Sequence, residues 1–260
     1  MTRINRRWLA ALVVALMAVP VRAFAQADEI QVYDGSLAEK GTFNLTLHTN
    51  FTPSGVKTPA FPGAVAADQS LNGVPELAYG VNQWFEAGLY LPLYSRDQNL
   101  GWGLDGFKLR ALFAVPHADD RRFFYGANVE LSYNATRWDT TRITSEVRTI
   151  IGWHVKPVDI ILNPILDTAF DGVENLVFVP SVRVAYNVSP VWAVAVEEFA
   201  DYGRVGGFNA GHDQSHQVYG VVDYGGQALN VEAGIGVGLT GASDRLTFKL
   251  IVSRGFNVKK

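Results

Sequence analysis

The sequence predicts an all-β protein, a transmembrane antiparallel up-and-down β-barrel of about 12 strands. Three observations carry that expectation. Apolar side chains recur at every second position through most of the chain, the period of a strand with two unlike faces. Charged residues make up only 18% of the 260 residues against 48% hydrophobic, with 25 Gly and 12% aromatics; an ordinary soluble domain carries roughly 25% charge. Beyond residue 25, no stretch supplies the roughly 18 uncharged apolar residues of a spanning helix, so any crossing falls to strands. The complete absence of Cys excludes a disulfide scaffold, a thiolate metal site and a cysteine nucleophile. A net charge of −3 speaks against nucleic acid as a partner.

The first 27 residues read as a secretory signal peptide. Arg3, Arg6 and Arg7 precede an apolar run from Trp8 to Val19, and small residues follow at Ala23, Ala25 and Ala27. Cleavage fits after Ala25 or after Ala27; the second leaves Asp28 and Glu29 at the start of the mature chain. Residues 1–27 are therefore assigned to the leader and 28–260 to the barrel. Four of the 22 basic residues lie in the leader, which leaves 18 against 25 acidic and a mature charge of −7.

Alternation defines the strands in order. In Thr42–Phe51, Phe43, Leu45, Leu47 and Phe51 oppose Thr42, Asn44, Thr46, His48 and Asn50. Trp84–Tyr94 sets Phe85, Ala87, Leu89, Leu91 and Leu93 against Glu86, Gly88 and Tyr90. Asp105–Val115 sets Phe107, Leu109, Ala111 and Phe113 against Lys108 and Arg110. Arg122–Tyr133, Thr141–Val155, Val158–Asp167, Leu176–Tyr186, Leu229–Thr240 and Arg245–Phe256 repeat the pattern. Val74–Val81, Val191–Asp201 and Gln217–Tyr224 are strands of less definite register. The adjacent Glu197 and Glu198 place one of that pair at a rim or bulge.

Connectors alternate in length. Long ones span 52–73, 95–104, 134–140, 168–175 and 202–216, with short turns between them; Gly241–Ser243 is the one that breaks the rule. An even strand number, short periplasmic turns and longer outer loops describe bacterial outer-membrane barrels, with both termini periplasmic. Trp84, Tyr94, Trp102, Phe107, Trp138, Trp153, Trp192 and Tyr224 gather toward strand ends, where interfacial aromatic girdles lie. A soluble barrel or sandwich alternates in the same way. Its polar face, however, would carry Lys and Glu rather than the Gly, Ser, Asn and mixed charges present here.

Several short segments resemble one family. They are Glu76–Leu89, Leu91-Pro92, Gly103–Leu109, Asn163–Leu166, Glu197 with Ala200–Gly203, and Leu239-Thr240 with Ser243–Leu246 and Lys249. Together they resemble the Gram-negative outer-membrane β-barrel proteins grouped with the meta-pathway phenol-degradation barrels, which are described as transporters. The resemblance implies an outer-membrane location, uptake of hydrophobic or aromatic compounds, and insertion by the barrel assembly machinery. That machinery reads the last strand, where four residues follow Phe256.

If the apolar faces meet lipid, the polar faces line the interior, because a charge at the bilayer midplane costs about 2–4 kcal/mol. Parity places Glu86, Lys108, Arg110, Glu130, Arg142, Glu146, Arg148, Asp159, Arg183, Glu232 and Lys249 there as pore candidates, with Glu76, Asp167, Glu197 and Asp223 beside them. Twelve strands about 4.8 Å apart and tilted about 40° enclose a backbone radius near 12 Å. That width admits either a narrow, mildly acidic channel for passive passage of small solutes or a lumen closed by its own salt bridges. In the closed case the outer loops would do the work, as in a structural or receptor-like barrel. No cofactor, metal site or enzymatic role is expected. His212, Asp213 and His216 share a polar loop without a fourth ligand, and Ser145 falls on the opposite face from His48 and His154. Gly234, Gly236 and Gly238 alternate within a strand and read as inward glycines, not as a phosphate loop. The loop 52–73 either folds inward or stands outside.

Overall fold

The computed structural model describes residues 28–257; the leader assignment lies outside them. Fourteen strand segments form one antiparallel sheet that closes on itself. They are β1 (Thr42–Ser54), β2 (Ser70–Asn82), β3 (Phe85–Asp97), β4 (Gly101–Ala114), β5 (Phe123–Asn134), β6 (Ile143–Val155), β7 (Val158–Asn163), β8 (Ile165–Thr168), β9 (Val177–Phe178), β10 (Ser181–Asn187), β11 (Trp192–Asp201), β12 (Ser215–Gly225), β13 (Asn230–Gly238) and β14 (Leu246–Asn257). β7 and β8 are one strand interrupted at Pro164, and β9 and β10 are one interrupted at Pro180, so the wall has 12 staves. Proline cannot donate to a ladder, which is why the breaks fall there. Pairing of β1 with β14, from Phe43 opposite Phe256 to Phe51 opposite Phe248, closes the barrel and leaves the sheet without a free edge.

The burial pattern is inverted relative to a water-soluble protein. Leu45, Leu109, Leu131, Val184, Val196 and Ile235 point outward and are about half exposed, whereas His48, Asn50, Asn128, Glu130 and Glu197 are almost fully buried. An apolar exterior around a charged interior is the arrangement of a barrel whose solvent is lipid. Aromatic stacks ring both ends of that exterior. Phe85–Phe113 (4.8 Å), Trp192–Tyr224 (4.8 Å) and Phe123–Trp153 (5.5 Å) lie near the short turns; Phe107–Tyr133 (5.5 Å) and Tyr94–Trp102 (6.5 Å) lie near the long loops.

Two details differ from the expectations, and a third decides between two alternatives the sequence left open. The connector expected at 95–104 shrinks to residues 98–100, because β3 and β4 continue as a hairpin above the wall. Leu93, expected outside, is buried inside with Val74 and Tyr90. The register slips between Tyr90 and Leu93, at Pro92, so alternation resumes one place out of phase. The loop 55–69 is folded inward: Ala64, Val65 and Ala66 are buried, the Val65 amide donates to the Arg137 carbonyl, and the Ala66 amide donates to Asp97. On its other flank Val56 donates to Asp244, and burial pushes that carboxyl up from its ordinary value.

Candidate channel lumen

Inward positions of neighbouring strands lie beside one another, so most lumen charges meet across strands, while Arg148 and Glu146 pair within β6. Arg110 on β4 pairs with Glu76 of β2 and Glu86 of β3. Lys108 holds Glu130 of β5 at 3.3 Å, and Arg148 of β6 holds Glu146 at 2.8 Å. Across the barrel, Arg183 of β10 pairs with Glu197, Asp223 and Glu232, three acids from three successive strands. Lys249 of β14, fully buried, shares Glu197 and Glu232. Asp159, at the mouth near the short turns, is held by His154 and Asn187, each at 2.7 Å. Gly234 and Gly236 make room on β13 for the side chains beside them: a Cβ on Gly234 would stand 2.9 Å from Lys249, and one on Gly236 would collide with the Tyr219 ring. The alternating glycines therefore fit a crowded lumen.

Arg142 is the exception among the pore candidates. It precedes β6, is exposed, and lays its guanidinium on Tyr133, donating to its hydroxyl at 3.1 Å. Tyr133 belongs to the outer girdle, so Arg142 sits at the outer rim and not in the lumen. Glu198 likewise turns to the rim and meets His216 at 3.0 Å, while Glu197 faces in. His212 contacts Asp213 on an exposed part of the same loop. His48 and His154 face the lumen, away from Ser145, whose hydroxyl donates to the Glu130 carbonyl.

The lumen also holds a segment the alternation could not announce. Residues 28–41 enter it as an extended strap. Asp28 meets Lys108 at 2.8 Å, and Glu29 lies 3.6 Å from Arg148. Lys249 donates to the Ile30 carbonyl at 3.1 Å and Arg148 to the Gln31 carbonyl at 2.8 Å. Asn163 clamps Tyr33 from both sides of its backbone, at 2.7 and 3.0 Å. The Tyr33 ring lies under Arg148 at 4.4 Å, and its hydroxyl meets that of Tyr90 at 2.6 Å. Val32 and Tyr33 complete an apolar cluster with Leu112, Phe124, Ile150 and Ile161; Ile30 completes another with Ala185, Ala195, Tyr219 and Val221. Glu29 belongs to the strap, outside the spanning strands; burial, with Glu130 nearby, pushes its carboxyl up to about 7.

Below the strap, toward the short turns, a cavity of about 310 Å³ stays open. Asp34, Asp159, Asp223 and Glu232 line it against Arg183 and His154. Toward the long loops, Arg137 reaches in to Asp105 at 3.2 Å and to Ser95 at 3.2 Å, beneath the inward loop 55–69.

This is the architecture of an outer-membrane type barrel with an occupied polar lumen. Among solved structures the fold is similar to an outer membrane channel from Pseudomonas putida F1, with 14% identity and a TM-score of 0.58, covering 88% of this chain and 100% of that one. It is also similar to the KdgM porin, solved in complex with disordered oligogalacturonate, with 8% identity and a TM-score of 0.53, covering 82% and 99%. No protein-family profile matches the chain, and no curated protein matches it.

Proposed function

We propose that the protein is an outer-membrane channel for passive passage of small solutes, narrow and charged, with no covalent step. The observation that carries this is the pairing of a lipid-type exterior with a charged, partly open interior. The two similar structures, an outer membrane channel and a porin, support the same reading, as does the resemblance to the phenol-degradation barrels. The short turns face the periplasm in this account, with both chain ends, since longer loops face outward in such barrels. Insertion through the barrel assembly machinery and removal of residues 1–27 belong to the same proposal. The open cavity is lined by four carboxylates against one guanidinium and one imidazole, which favours polar or weakly cationic solutes over anions.

Single-channel recording of refolded residues 28–260 in a planar bilayer tests this, with insertion confirmed by heat-modifiable migration. Small discrete steps with a reversal potential on the cation side are expected. A barrel that inserts but never conducts would instead favour the closed, loop-acting reading, for which the strap in the lumen is the supporting observation.

A further inference from the structure

The geometry points to residues 28–33 as a tethered plug that leaves the lumen as one piece, pivoting at Gly35, so that the barrel carries its own blocker. The inference rests on the channel reading. The strap has two unlike halves. Its outer half is fastened to the rim: the Gly41 amide donates to the Gly80 carbonyl at 2.7 Å, the Ala38 amide to Glu86, and the Ser36 hydroxyl to Asp119 at 2.8 Å. Its inner half runs between opposite walls and joins no strand ladder; the one bridge of the strap, between Lys40 and Gly80, is at the rim.

Between the halves stands Gly35 at a φ of +82°, where an added Cβ would lie 3.3 Å from the Phe124 ring. Only glycine takes that turn without strain.

Withdrawal of the inner half leaves the wall's cations paired. Lys108 keeps Glu130, Arg148 keeps Glu146, and Lys249 keeps Glu197 and Glu232. In the docked state the strap's own acids are poorly partnered, as are Glu76 and Asp223 on the wall. Both carboxylate oxygens of Glu29 and one of Asp28 are buried without a hydrogen bond, an arrangement that weakens docking. Ile30, Val32 and Tyr33 hold the plug in place through apolar contact, and the Asn163 clamp fixes its register. Gln31, Val32 and Asp34 roof the open cavity, so withdrawal joins that cavity to the space above it.

The chain has no Cys, so a single introduced thiol reports motion of the plug. In the otherwise complete mature protein, Val32→Cys is treated in vesicles with a bulky water-soluble maleimide while conductance is followed. Val74→Cys, an equally buried wall position whose apolar cluster excludes the strap, is the reference. Val32→Cys should label at least tenfold faster than Val74→Cys, and several-fold faster again with Asn163→Ala. Labelled protein, unable to redock, should conduct several-fold more. Gln31→Cys repeats the measurement if Val32→Cys fails to assemble. Equal, slow labelling at both positions in a barrel that still conducts overturns the plug and leaves the channel standing. Fast labelling in an inserted barrel that never conducts overturns the channel reading and the blocker with it.

Discussion

The lumen holds two kinds of ion pair, and they are built differently. The pairs within the wall join side chains whose positions the strand ladder fixes, on neighbouring strands, on strands two or three apart or, for Arg148 and Glu146, within β6, and Arg183 alone meets three carboxylates. The pairs between wall and strap are fewer, and Glu29 stands 3.6 Å from Arg148 with neither oxygen hydrogen-bonded. A charge fixed by strand register is part of the barrel's bracing. A charge delivered on a tether is a ligand that happens to be covalently attached. The difference separates what must stay for the barrel to exist from what can leave while it persists.

The sharpest way to break that comparison is at the bracing. Arg183→Met strands Asp223 and leaves Glu197 and Glu232 to share Lys249 alone, and removing one partner of a buried pair costs about 3–5 kcal/mol. Urea unfolding in detergent should show a loss of that size, whereas Asp28→Asn on the strap should leave unfolding almost unchanged. Equal losses would erase the distinction.

The exterior gives the next largest effect. Leu131, outward on β5, neighbours the inward Glu130 and Ser132. Leu131→Arg should cost about 2–4 kcal/mol of stability in lipid, while Ser132→Arg, one residue on, should cost less because it faces the lumen. The reverse order would place the lumen on the wrong side of the wall.

Smaller effects sharpen the account of the strap. Tyr33→Phe removes the hydroxyl contact with Tyr90, worth about 1 kcal/mol, so the open fraction in single-channel records should rise about fivefold. The docked Glu29 carboxyl, at about 7 against an ordinary 4.5, binds its proton more tightly than the free strap does. Docking is therefore strongest below 4.5 and weakens as pH rises through about 7. Arg148, Lys108 and His48 face Glu29 and oppose this shift, while Glu130 reinforces it. Open probability should rise across that interval, and Glu29→Gln should flatten the rise.

Much of this was legible in the sequence, because alternation is a direct image of a wall with two solvents. It located Lys108, Arg110, Glu130, Arg148, Arg183 and Lys249 inside, and the glycines of β13 inside beside them. It failed where period and position separate. At Pro92 the ladder slips and Leu93 moves inward; the proline marks the break, but the apolar residues on both sides of it hide the change of phase. Arg142 shares the parity of Glu146 and Arg148 but lies before the strand begins, where parity has no meaning. The strap was invisible for another reason: residues 28–33 form too short a stretch to span, and their partners Tyr90, Lys108, Arg148, Asn163 and Lys249 are scattered along the chain. Ile30, Val32 and Tyr33, apolar residues ahead of the first strand, are the part of that segment that pointed to burial.

The central claim is that solutes cross through this lumen, and adjacent residues on β10 test it most directly. Ala185 faces the cavity and is buried, while Val184 faces outward and is 45% exposed. With Ala185→Cys, a charged thiol reagent added to the bath should cut the current of open channels in a step and shift their ion selectivity. With Val184→Cys it should do neither. Current that ignores modification at Ala185 would mean that ions do not pass through the lumen described here.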